Sequence, residues 1–312
     1  MRVVGVTRLL NEADIVEPFV RHHAALLDLQ ILLDGGSTDE TVSILRALHA
    51  EGLNIQVYQS SSPIFLEQAY NTGLYRLALG EGADWVFFLD ADELLVTRAA
   101  ARAQPILELV PADIACLRLP VFRYAVPPGE GHPLERLTHR DPEPHMPKVV
   151  VRRLDPARVA VYAGNHFAFV DGRQELGLSQ DRLALAHLPE RSKLQAARKA
   201  ILARLKVLAS GEAQAAHFNT HALDAFERLK ADPRGWLAQE AKSAGAPVVE
   251  DPVPYRGGPL RYTKPADDLA RLLALFAAQG ELLARSHGSV LDRKRLIRRQ
   301  LQEEGRVASR LF

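Results

Sequence analysis

The amino-acid sequence predicts an α/β fold in which a mixed sheet is flanked by helices and followed by a helical C-terminal extension. Two observations favour this class. Short apolar runs alternate with amphipathic stretches over the first 95 residues, which is the rhythm of a parallel sheet with right-handed crossovers. Further strand-like runs follow, and from Glu190 onward the apolar spacing is helical. We therefore expect a sheet domain at residues 1–189 and a helical region at residues 190–312.

The first half of the chain supplies four predicted strands and three predicted helices. The strands cover residues 2–7, 29–33, 55–58 and 84–89, and the third helix covers residues 65–79. Asn11 is placed to cap the first helix. Ser37 and Glu40 have the spacing of a capping box for the second helix, which Gly52 ends.

The middle and the end of the chain break this rhythm. Strand-like runs at residues 114–121, 148–154, 159–170 and 183–188 predict a mixed or antiparallel completion of the sheet. The proline-rich stretch 125–147 between two of them predicts a flexible loop. In the C-terminal extension, the apolar spacing predicts a helix with an apolar stripe from Leu194 to Leu208 and further helices at 213–230, 266–285 and 288–304. The proline- and glycine-rich stretch 246–264 predicts a loop.

Composition limits the class of protein. The 312 residues are 47% hydrophobic and 25% charged, which is typical of a globular chain, and the net charge of +1 does not favour nucleic acid. The single cysteine fits a reducing compartment. We expect no signal peptide and no membrane-spanning helix, hence a cytoplasmic protein. A peripheral contact with the inner membrane is left open by the basic run 293–299, although a solvated helix face is the preferred interpretation.

The stretch from Trp85 to Glu93 carries the clearest chemical signal. Five consecutive apolar residues predict a strand that is buried on both faces, and Asp90 and Asp92 follow at its carboxyl end. Ligands of open α/β sheets bind at this end of the strands, and paired carboxylates can hold a divalent metal. The simpler interpretation is a solvated strand end before an acidic helix start, to which Glu93 would belong.

Four landmarks in order resemble the GT-A fold glycosyltransferases of the family-2-like type. They are Arg8-Leu9-Leu10-Asn11-Glu12, Asp34-Gly35-Gly36-Ser37-Thr38-Asp39-Glu40-Thr41, Gln68-x-x-Asn71 and Asp90-Ala91-Asp92. Three later stretches are similar to a bacterial subgroup: Lys148-x-x-x-Arg152, Gly164-Asn165-His166 and His187-Leu188-Pro189-Glu190-Arg191-Ser192. The family often has Asp-Asp-Gly-Ser where this chain has Asp34-Gly35-Gly36-Ser37, so one acidic residue is missing and the choice of nucleobase is open.

The resemblance implies a metal-dependent glycosyltransferase that uses a UDP- or GDP-linked donor and an acceptor hydroxyl on a glycan or a lipid-linked molecule. The implied cofactor is Mn²⁺ or Mg²⁺, and the implied role is synthesis of a bacterial surface or secreted glycan. Residues 1–189 would then form the nucleotide-sugar-binding and catalytic domain. The oligomeric state and the stereochemical outcome stay open.

The implied metal ligands are Asp90 and Asp92, with His187 as a third ligand and His166 as the runner-up. Either histidine could instead be a hydrogen-bonded core residue. The residues implied to contact the nucleotide are Arg8, Asn11, Glu12, Asp34, Asn71, Asp90, Lys148 and Arg191. Asp92 counts as catalytic through its metal, and the base that deprotonates the acceptor would be Asp141, Glu143 or Glu190.

Two other classes of protein compete with this interpretation. A non-catalytic nucleotide-sugar-binding protein on the same fold is favoured by the missing acid at Gly35 and by the absence of a clear motif for the base. A nucleotidyltransferase also uses paired aspartates, but it usually has a glycine-rich phosphate loop after the first strand. The corresponding stretch here, residues 8–11, contains no glycine.

Overall fold

The structure is a computed structural model that describes residues 1–60, 66–98, 100–127, 130–209, 220–238 and 248–263, with Leu269, Leu272, Leu273, Phe276 and the pair Ser309–Arg310 beyond them. Its strands are β1 (Val3–Leu9), β2 (Leu29–Asp34), β3 (Ile55–Gln59), β4 (Trp85–Asp90), β5 (Glu93–Thr97), β6 (Cys116–Arg123), β7 (His139–Arg140), β8 (His145–Arg152), β9 (Val159–Val161), β10 (Ala168–Val170), β11 (Arg173–Glu175), β12 (Leu178–Ser179), β13 (Leu183–His187), β14 (Val249–Glu250) and β15 (Ser309–Arg310). Its helices are α1 (Val16–Ala24), α2 (Thr41–Ala50), α3 (Glu67–Gly80), α4 (Gln104–Leu107), α5 (Lys193–Ala209), α6 (Thr220–Ala231) and α7 (Pro233–Ala238), with 3-10 turns at Pro133–Glu135 and Ala163–Asn165.

The first four strands form a parallel sheet in the order β3-β2-β1-β4. Because all four run the same way, their carboxyl ends meet at one edge. In register, Arg8 near the end of β1 lies between Leu33 of β2 and Asp90 of β4. The prediction of a parallel sheet with helical crossovers is confirmed.

Strand β4 has the two buried faces that its apolar run predicts. Trp85, Phe87 and Leu89 pack into the core on one face of the sheet, while Val86 and Phe88 pack into the core on the other face. None of the five side chains is more than 2% exposed. The rigid strand ends directly at Asp90, which fixes where the acidic residues lie.

The rest of the sheet curls back towards the end of β4. The order continues as β4-β8-β6-β13-β5, with antiparallel pairing except between β6 and β13. Strand β5 starts only three residues after β4 ends, yet it pairs with β13 at the far edge, where His187 is opposite Glu93. The Leu188 amide donates to the Asp92 carbonyl at 2.8 Å. The curled sheet therefore places the end of β13 next to the acidic residues at the end of β4.

The predicted cap at Asn11 is wrong. Helix α1 begins at Val16, and Asn11 has a left-handed backbone with φ of 58°. Its Oδ1 accepts from the backbone amides of Thr38 at 2.8 Å and Asp39 at 3.2 Å. The side chain therefore ties the loop after β1 to the loop after β2 and does not cap its own helix.

The predicted capping box at Ser37 and Glu40 is wrong for the same reason. Ser37 Oγ accepts from the Asn11 amide at 2.8 Å, so it is used between the two loops. At the start of α2, the Thr41 amide donates to Asp39 Oδ1 at 3.0 Å, and no side chain of Glu40 caps the helix. Gly52 ends α2 as predicted, with φ of 89°.

Two further expectations differ from the structure. Glu93 opens strand β5 and is 1% exposed, so it does not belong to a helix start. The predicted loop at residues 125–147 contains β7, a 3-10 turn and the start of β8. Leu134 and Leu137 from this stretch are at most 1% exposed, and His132 Nε2–H donates to the Asp14 carbonyl at 2.6 Å. Burial of these leucines anchors a segment that its prolines had suggested to be flexible.

Helix α5 buries a different face from the one predicted. Ala197 and Ile201 are buried as expected, but Leu208 is 44% exposed. Gln195 and Arg198 are instead at most 5% exposed, which shows that this helix turns polar side chains inwards. Of the helix predicted at 266–285, only Leu269, Leu272, Leu273 and Phe276 are described, and all four are helical. Residues 213–219, the helix predicted at 288–304 and the basic run 293–299 lie outside the described residues. No helix in the described ranges is long and apolar enough to cross a membrane.

His22 and His23 are buried next to each other in the neutral state. His22 Nε2–H donates to the Leu95 carbonyl at 2.8 Å, and its Nδ1 accepts from the Arg256 amide at 3.2 Å. His23 Nδ1–H donates to the Phe19 carbonyl, and its Nε2 accepts from the Leu95 amide. Burial lowers the pKa of His22 to about 4 and lowers the pKa of His23 well below its ordinary value.

We expect these two histidines to destabilise the fold in mild acid. Above pH 6.5 both imidazole rings are neutral in the folded and in the unfolded protein. Below pH 6.5 the histidines of the unfolded chain bind protons that the folded chain does not accept. The free energy of unfolding should therefore fall as pH drops from about 6.5 towards 4, by up to about 3 kcal/mol per pH unit for the pair. Urea unfolding at pH 7, 6 and 5 measures this effect, and constant stability over that range would contradict it.

Candidate functional site

A cavity of about 410 Å³ lies at the carboxyl edge of the parallel strands. On the side of β2 and α3 its wall is mainly apolar, with Leu33, Leu66 and Tyr70. On the side of β4 and β13 it is charged, with Asp90, Asp92, His187, Arg198 and Lys199. Helix α5 lines a further side of the cavity, from Gln195 at one end to Lys206 at the other. The sequence predicts a site at this edge of the sheet but not the contribution of α5.

Asp90 lies at the floor of this cavity and is about one third open to it. The Lys148 ammonium pairs with Asp90 Oδ2, and Asn165 Nδ2–H donates to Asp90 Oδ1 at 3.3 Å. Burial alone would raise the pKa of the Asp90 carboxyl, but the cations of Lys148 and Arg8 outweigh it and lower the pKa. Asp90 is therefore an ionised carboxylate with one face towards the cavity.

Asp92 is buried more deeply, with 4% of its side chain exposed. Lys199 Nζ donates to Asp92 Oδ2 at 2.5 Å, and His187 Nε2 lies 3.5 Å from Asp92 Oδ1. Burial would raise the pKa of Asp92, yet Lys199 and His187 hold it well below its ordinary value. The backbone amide of Leu188 fixes the Asp92 carbonyl, so the carboxylate and the imidazole keep one geometry.

The Asp92–His187 pair fits a divalent metal. Neighbouring ligands of an octahedral ion lie about 3 Å apart when each is about 2.1 Å from the ion, close to the 3.5 Å between Asp92 Oδ1 and His187 Nε2. A carboxylate oxygen and an imidazole nitrogen are both acceptable ligands of Mn²⁺. The described residues contain no group of three or more acidic, histidine or cysteine side chains arranged to hold an ion. The remaining ligands would have to come from the substrate and water.

Lys148 joins Asp90 to a second buried carboxylate. It is 6% exposed in its side chain, and its Nζ lies 3.4 Å from Glu93 Oε1 as well as beside Asp90. Glu93 Oε2 accepts from the Asp90 amide at 3.0 Å, and burial raises the pKa of Glu93. Lys148, predicted to contact a nucleotide, is not part of the cavity wall; it holds the Asp90 carboxylate from behind.

Asn71 also lies outside the cavity wall and contacts a residue that binds Asp90. Its Nδ2–H donates to Asn165 Oδ1 at 2.7 Å and to the Tyr162 carbonyl at 3.2 Å, and Asn71 itself is 1% exposed. Asn165, with φ of 57°, then donates to Asp90. The landmark helix α3 thus orients a residue that contacts the acidic pair. Asn165 belongs to a stretch that the sequence singled out without assigning it a role.

Asp34 is fully buried and shapes the turn after β2. Its carboxylate accepts from the amides of Gly36 and Ser37 and from Gln59 Nε2–H, all at 3.1 to 3.2 Å. Asp34 is thus a turn-forming aspartate, and its carboxylate is not part of the cavity wall. Gly35 is part of the wall: a Cβ there would lie 3.2 Å from the Leu9 carbonyl and 3.5 Å from Lys206 Nζ. A side chain at this position would crowd the Leu9 carbonyl.

Arg8 and Glu12, both predicted to contact the nucleotide, line the cavity, and both are already paired. Arg8 forms an ion pair with Glu67, and Arg191 donates to Glu12 Oε2 and to Asp14 Oδ2 at 2.6 Å each. Burial raises the pKa of Glu12 to about 7, although Arg191 opposes the shift. Glu12 can therefore exchange a proton near neutral pH. Arg191, predicted to contact the nucleotide, is held between the Glu12 and Asp14 carboxylates.

Three cations of α5 are site residues that sequence reasoning missed. Arg198, Lys199 and Lys206 line the cavity, and Arg198 Nη2–H donates to the Asn11 carbonyl at 2.6 Å. Burial lowers the pKa of Lys206 to about 8, with Arg8 adding to the effect. Their spacing along the helix, with Gln195 and Leu202, is that of one helical face. That polar face is visible in the sequence, but the predicted apolar stripe does not include it.

The remaining predicted residues lie outside the cavity wall. His166 Nδ1–H donates to the Pro147 carbonyl at 2.9 Å, and its ring packs over Gly164. Asp141 pairs with His145 at 3.0 Å. Glu190 pairs with Lys193 at 2.6 Å.

Asp141 and Glu190 nevertheless share a neighbourhood. The Asp141 amide donates to the Arg123 carbonyl at 2.9 Å, and Glu190 Oε2 lies 4.0 Å from Arg123 Nη2. Arg123 is opposite His187 in the register of β6 and β13. Asp141 and Glu190 therefore both lie beside the strand end that carries His187.

The curled mixed sheet with an acidic pair at the end of β4 defines an α/β fold of the GT-A type. A protein-family model described as "Glycosyl transferase family 2" matches residues 9–172, more than half of the chain, so the chain belongs to this family. It is a nucleotide-sugar-dependent glycosyltransferase. No curated protein sequence matches the chain.

Solved structures similar to this chain include other transferases. TarS of S. aureus in complex with UDP is 13% identical, with a TM-score of 0.37, over 78% of this chain and 77% of that one. A mannosyltransferase of Pyrobaculum calidifontis, in complex with GDP-Man and Mn²⁺, is 14% identical, with a TM-score of 0.38, over 89% and 86%. Glucosyl-3-phosphoglycerate synthase of Mycobacterium tuberculosis, with Mn²⁺ and UDP, is 22% identical, with a TM-score of 0.26, over 39% and 44%.

Proposed function

We propose that the chain is a metal-dependent glycosyltransferase that moves a sugar from a UDP- or GDP-linked donor to an acceptor hydroxyl on a glycan or a lipid-linked molecule. The observation that carries the proposal is the Asp92–His187 pair on the wall of the cavity. The cavity volume of about 410 Å³ lies within the range of ordinary ligand pockets. Synthesis of a bacterial surface or secreted glycan is the role that we propose for this reaction.

In this proposal Asp92 and His187 hold Mn²⁺ or Mg²⁺, with Asp90 beside them. The bound ion would supply electrostatic stabilisation of the departing diphosphate. Arg8 on the cavity wall adds a positive charge where the same diphosphate would lie. The apolar wall on the side of β2 and α3 suits the flat face of a nucleobase, since such pockets are largely apolar with a few polar groups.

An inverting transfer also needs a carboxylate that takes the proton of the acceptor hydroxyl. We propose Glu190 for this role and keep Asp141 as the alternative. Both lie beside the end of β13, the strand that carries His187.

Donor turnover separates this proposal from a non-catalytic sugar-nucleotide-binding protein. Purified full-length chain is incubated with UDP- and GDP-linked sugars, and release of the free nucleotide is followed with Mn²⁺ and with EDTA. We expect slow hydrolysis with the preferred donor that requires the metal. Tight binding of a sugar nucleotide without any turnover, with or without candidate acceptors, would favour the non-catalytic class.

Replacing His187 by alanine should weaken the metal and leave the fold intact. The side chain is about one quarter exposed, so its loss leaves little unfilled core. We expect at least about tenfold weaker Mn²⁺ binding in the presence of nucleotide, with the melting temperature of the free protein nearly unchanged. His166→Ala is the matched control, and the same loss of affinity there would assign the ligand role to His166 instead.

We also propose a cytoplasmic location and a division into residues 1–189 and 190–312, with a peripheral contact at the inner membrane as the alternative to a fully solvated helix face. The contact is motivated by the basic run 293–299 together with a lipid-linked acceptor. The division is complicated by α5, since Arg198 and Lys199 from the second part line the cavity of the first. We therefore expect residues 1–189 alone to bind the donor more weakly than the full chain does.

A further inference from the structure

Helix α5 lies outside residues 9–172, the stretch that the family model matches. It nevertheless places a cation on the central carboxylate of the site. Lys199 Nζ donates to Asp92 Oδ2 at 2.5 Å. The two partners differ in exposure: 4% of the Asp92 side chain is exposed, whereas 52% of the Lys199 side chain is open to the cavity. The carboxylate is fixed and the lysine has room to move.

Asp92 is thus already neutralised by an ammonium group. Its other oxygen, Oδ1, lies 3.5 Å from His187 Nε2. A divalent cation between Asp92 and His187 would approach the Lys199 ammonium closely, and like charges at that range repel strongly where water is partly excluded. A metal on Oδ1 and the ammonium on Oδ2 would therefore each weaken the binding of the other to this carboxylate.

We propose that Lys199 is an exchangeable counter-ion: it occupies Asp92 when the donor is absent, and it transfers to the donor diphosphate when the metal takes Asp92. This inference rests on the proposed metal-dependent function and deepens it by assigning a residue that controls metal binding. No covalent step is involved. The exchange swaps one ion pair, Lys199 with Asp92, for two, the metal with Asp92 and Lys199 with the diphosphate.

The properties of the side chain suit this exchange. Lysine carries a compact charge on a flexible four-carbon stem, with three donors that can be reoriented. Lys148 provides the contrast, because only 6% of its side chain is exposed and it is held between Asp90 and Glu93. Lys206, seven residues further along α5 and so about 10 Å away, lines the same cavity. A diphosphate lying along α5 would therefore run from one lysine of the helix towards the other.

The exchange makes metal and nucleotide depend on each other. Without the diphosphate, displaced Lys199 has no anion to receive it, so Mn²⁺ alone should bind weakly. When the diphosphate is bound, it pairs with the displaced Lys199 ammonium, so Mn²⁺ should bind tightly. By linkage, the nucleotide must gain the same factor in affinity from the metal.

The test compares the affinity of the full-length chain for Mn²⁺ alone with its affinity for Mn²⁺ in saturating UDP or GDP. Electron paramagnetic resonance of free Mn²⁺ gives both values without relying on turnover. For Lys199→Gln we expect the ratio of the two affinities to shrink at least about fivefold, the lower end of ordinary coupling. Most of the change should come from tighter binding of Mn²⁺ alone, because the competing ammonium is gone.

Two variants complete the design. Lys199→Arg keeps the positive charge and should retain most of the coupling. Lys230→Gln removes a lysine from the exposed surface of α6 and should leave the ratio at the wild-type value. An unchanged ratio in a folded Lys199→Gln protein would overturn the inference and leave the proposed function standing. Wild-type protein that binds no Mn²⁺ with either nucleotide would instead overturn the metal dependence itself.

Discussion

Replacement of Asp92 by asparagine is expected to lower donor turnover at least about 100-fold while the protein stays folded. Asparagine keeps nearly the same size and shape, so packing around the buried side chain changes little. The substitution removes the charge of the carboxylate that we propose as a metal ligand beside His187. Lys199 loses its partner too, but it is half exposed and can turn its ammonium to water.

The matched control for this variant is Asp171→Asn. Asp171 is an exposed aspartate that pairs with Arg158 at 2.6 Å, away from the cavity. Its φ of 53° is a conformation that asparagine tolerates well. Turnover of both variants is measured with the preferred donor and Mn²⁺, with melting curves to verify folding. Wild-type turnover in a folded Asp92→Asn protein would show that this carboxylate holds no metal.

Replacement of Lys148 by methionine is expected to have the largest effect on stability. The methionine fills the space of the lysine stem but leaves Asp90 and Glu93 facing each other without a cation. Removing one partner of a buried ion pair typically costs about 3–5 kcal/mol, and the partial exposure of Asp90 places this case at the lower end. Urea unfolding at pH 7 measures the loss, with Lys230→Met on exposed α6 as the control.

The same variant should lose less stability in acid. Protonation of Glu93, whose pKa burial already raises, removes one of the two facing charges. The difference in the free energy of unfolding between wild type and Lys148→Met should therefore shrink from pH 7 to pH 5. An equal difference at both pH values would indicate that lost packing, and not unpaired charge, causes the destabilisation.

Much of the fold could be predicted from the sequence because the first strands have a clear apolar pattern. The run from Trp85 to Leu89 is apolar at every position, and only a strand covered on both faces explains it. The acidic residues at its end then locate the carboxyl edge of the sheet. His187 could be chosen because it ends an apolar run, and the curled sheet does bring it next to Asp92.

The loop contacts could not be predicted in the same way. Asn11 and Ser37 have ordinary capping positions, but the parallel pairing of β1 and β2 places their two loops side by side. Each side chain then finds a donor or an acceptor in the other loop, which satisfies it as well as a helix end would. A local pattern of residues does not reveal that a long-range partner will be available.

The α5 contacts were missed for a related reason. Helical spacing of leucines is normally the sign of the buried face, and Leu208 belongs to that pattern. The cavity, however, offers carboxylates on its floor, so the face with Arg198, Lys199 and Lys206 turns inwards. Charge complementarity across 107 residues of chain, between Asp92 and Lys199, decides the orientation and is not visible until the sheet has been assembled.

Thermal unfolding in the presence of nucleotide and metal tests the central claim most directly. A ligand at a hundred times its dissociation constant stabilises the folded state by about 2.7 kcal/mol, which corresponds to a rise of about 5 °C in Tm. We expect UDP or GDP with Mn²⁺ to give such a rise, and the same nucleotide with EDTA to give little or none. Equal melting temperatures with Mn²⁺ and with EDTA for every nucleoside diphosphate would contradict a metal-dependent donor site at Asp92 and His187.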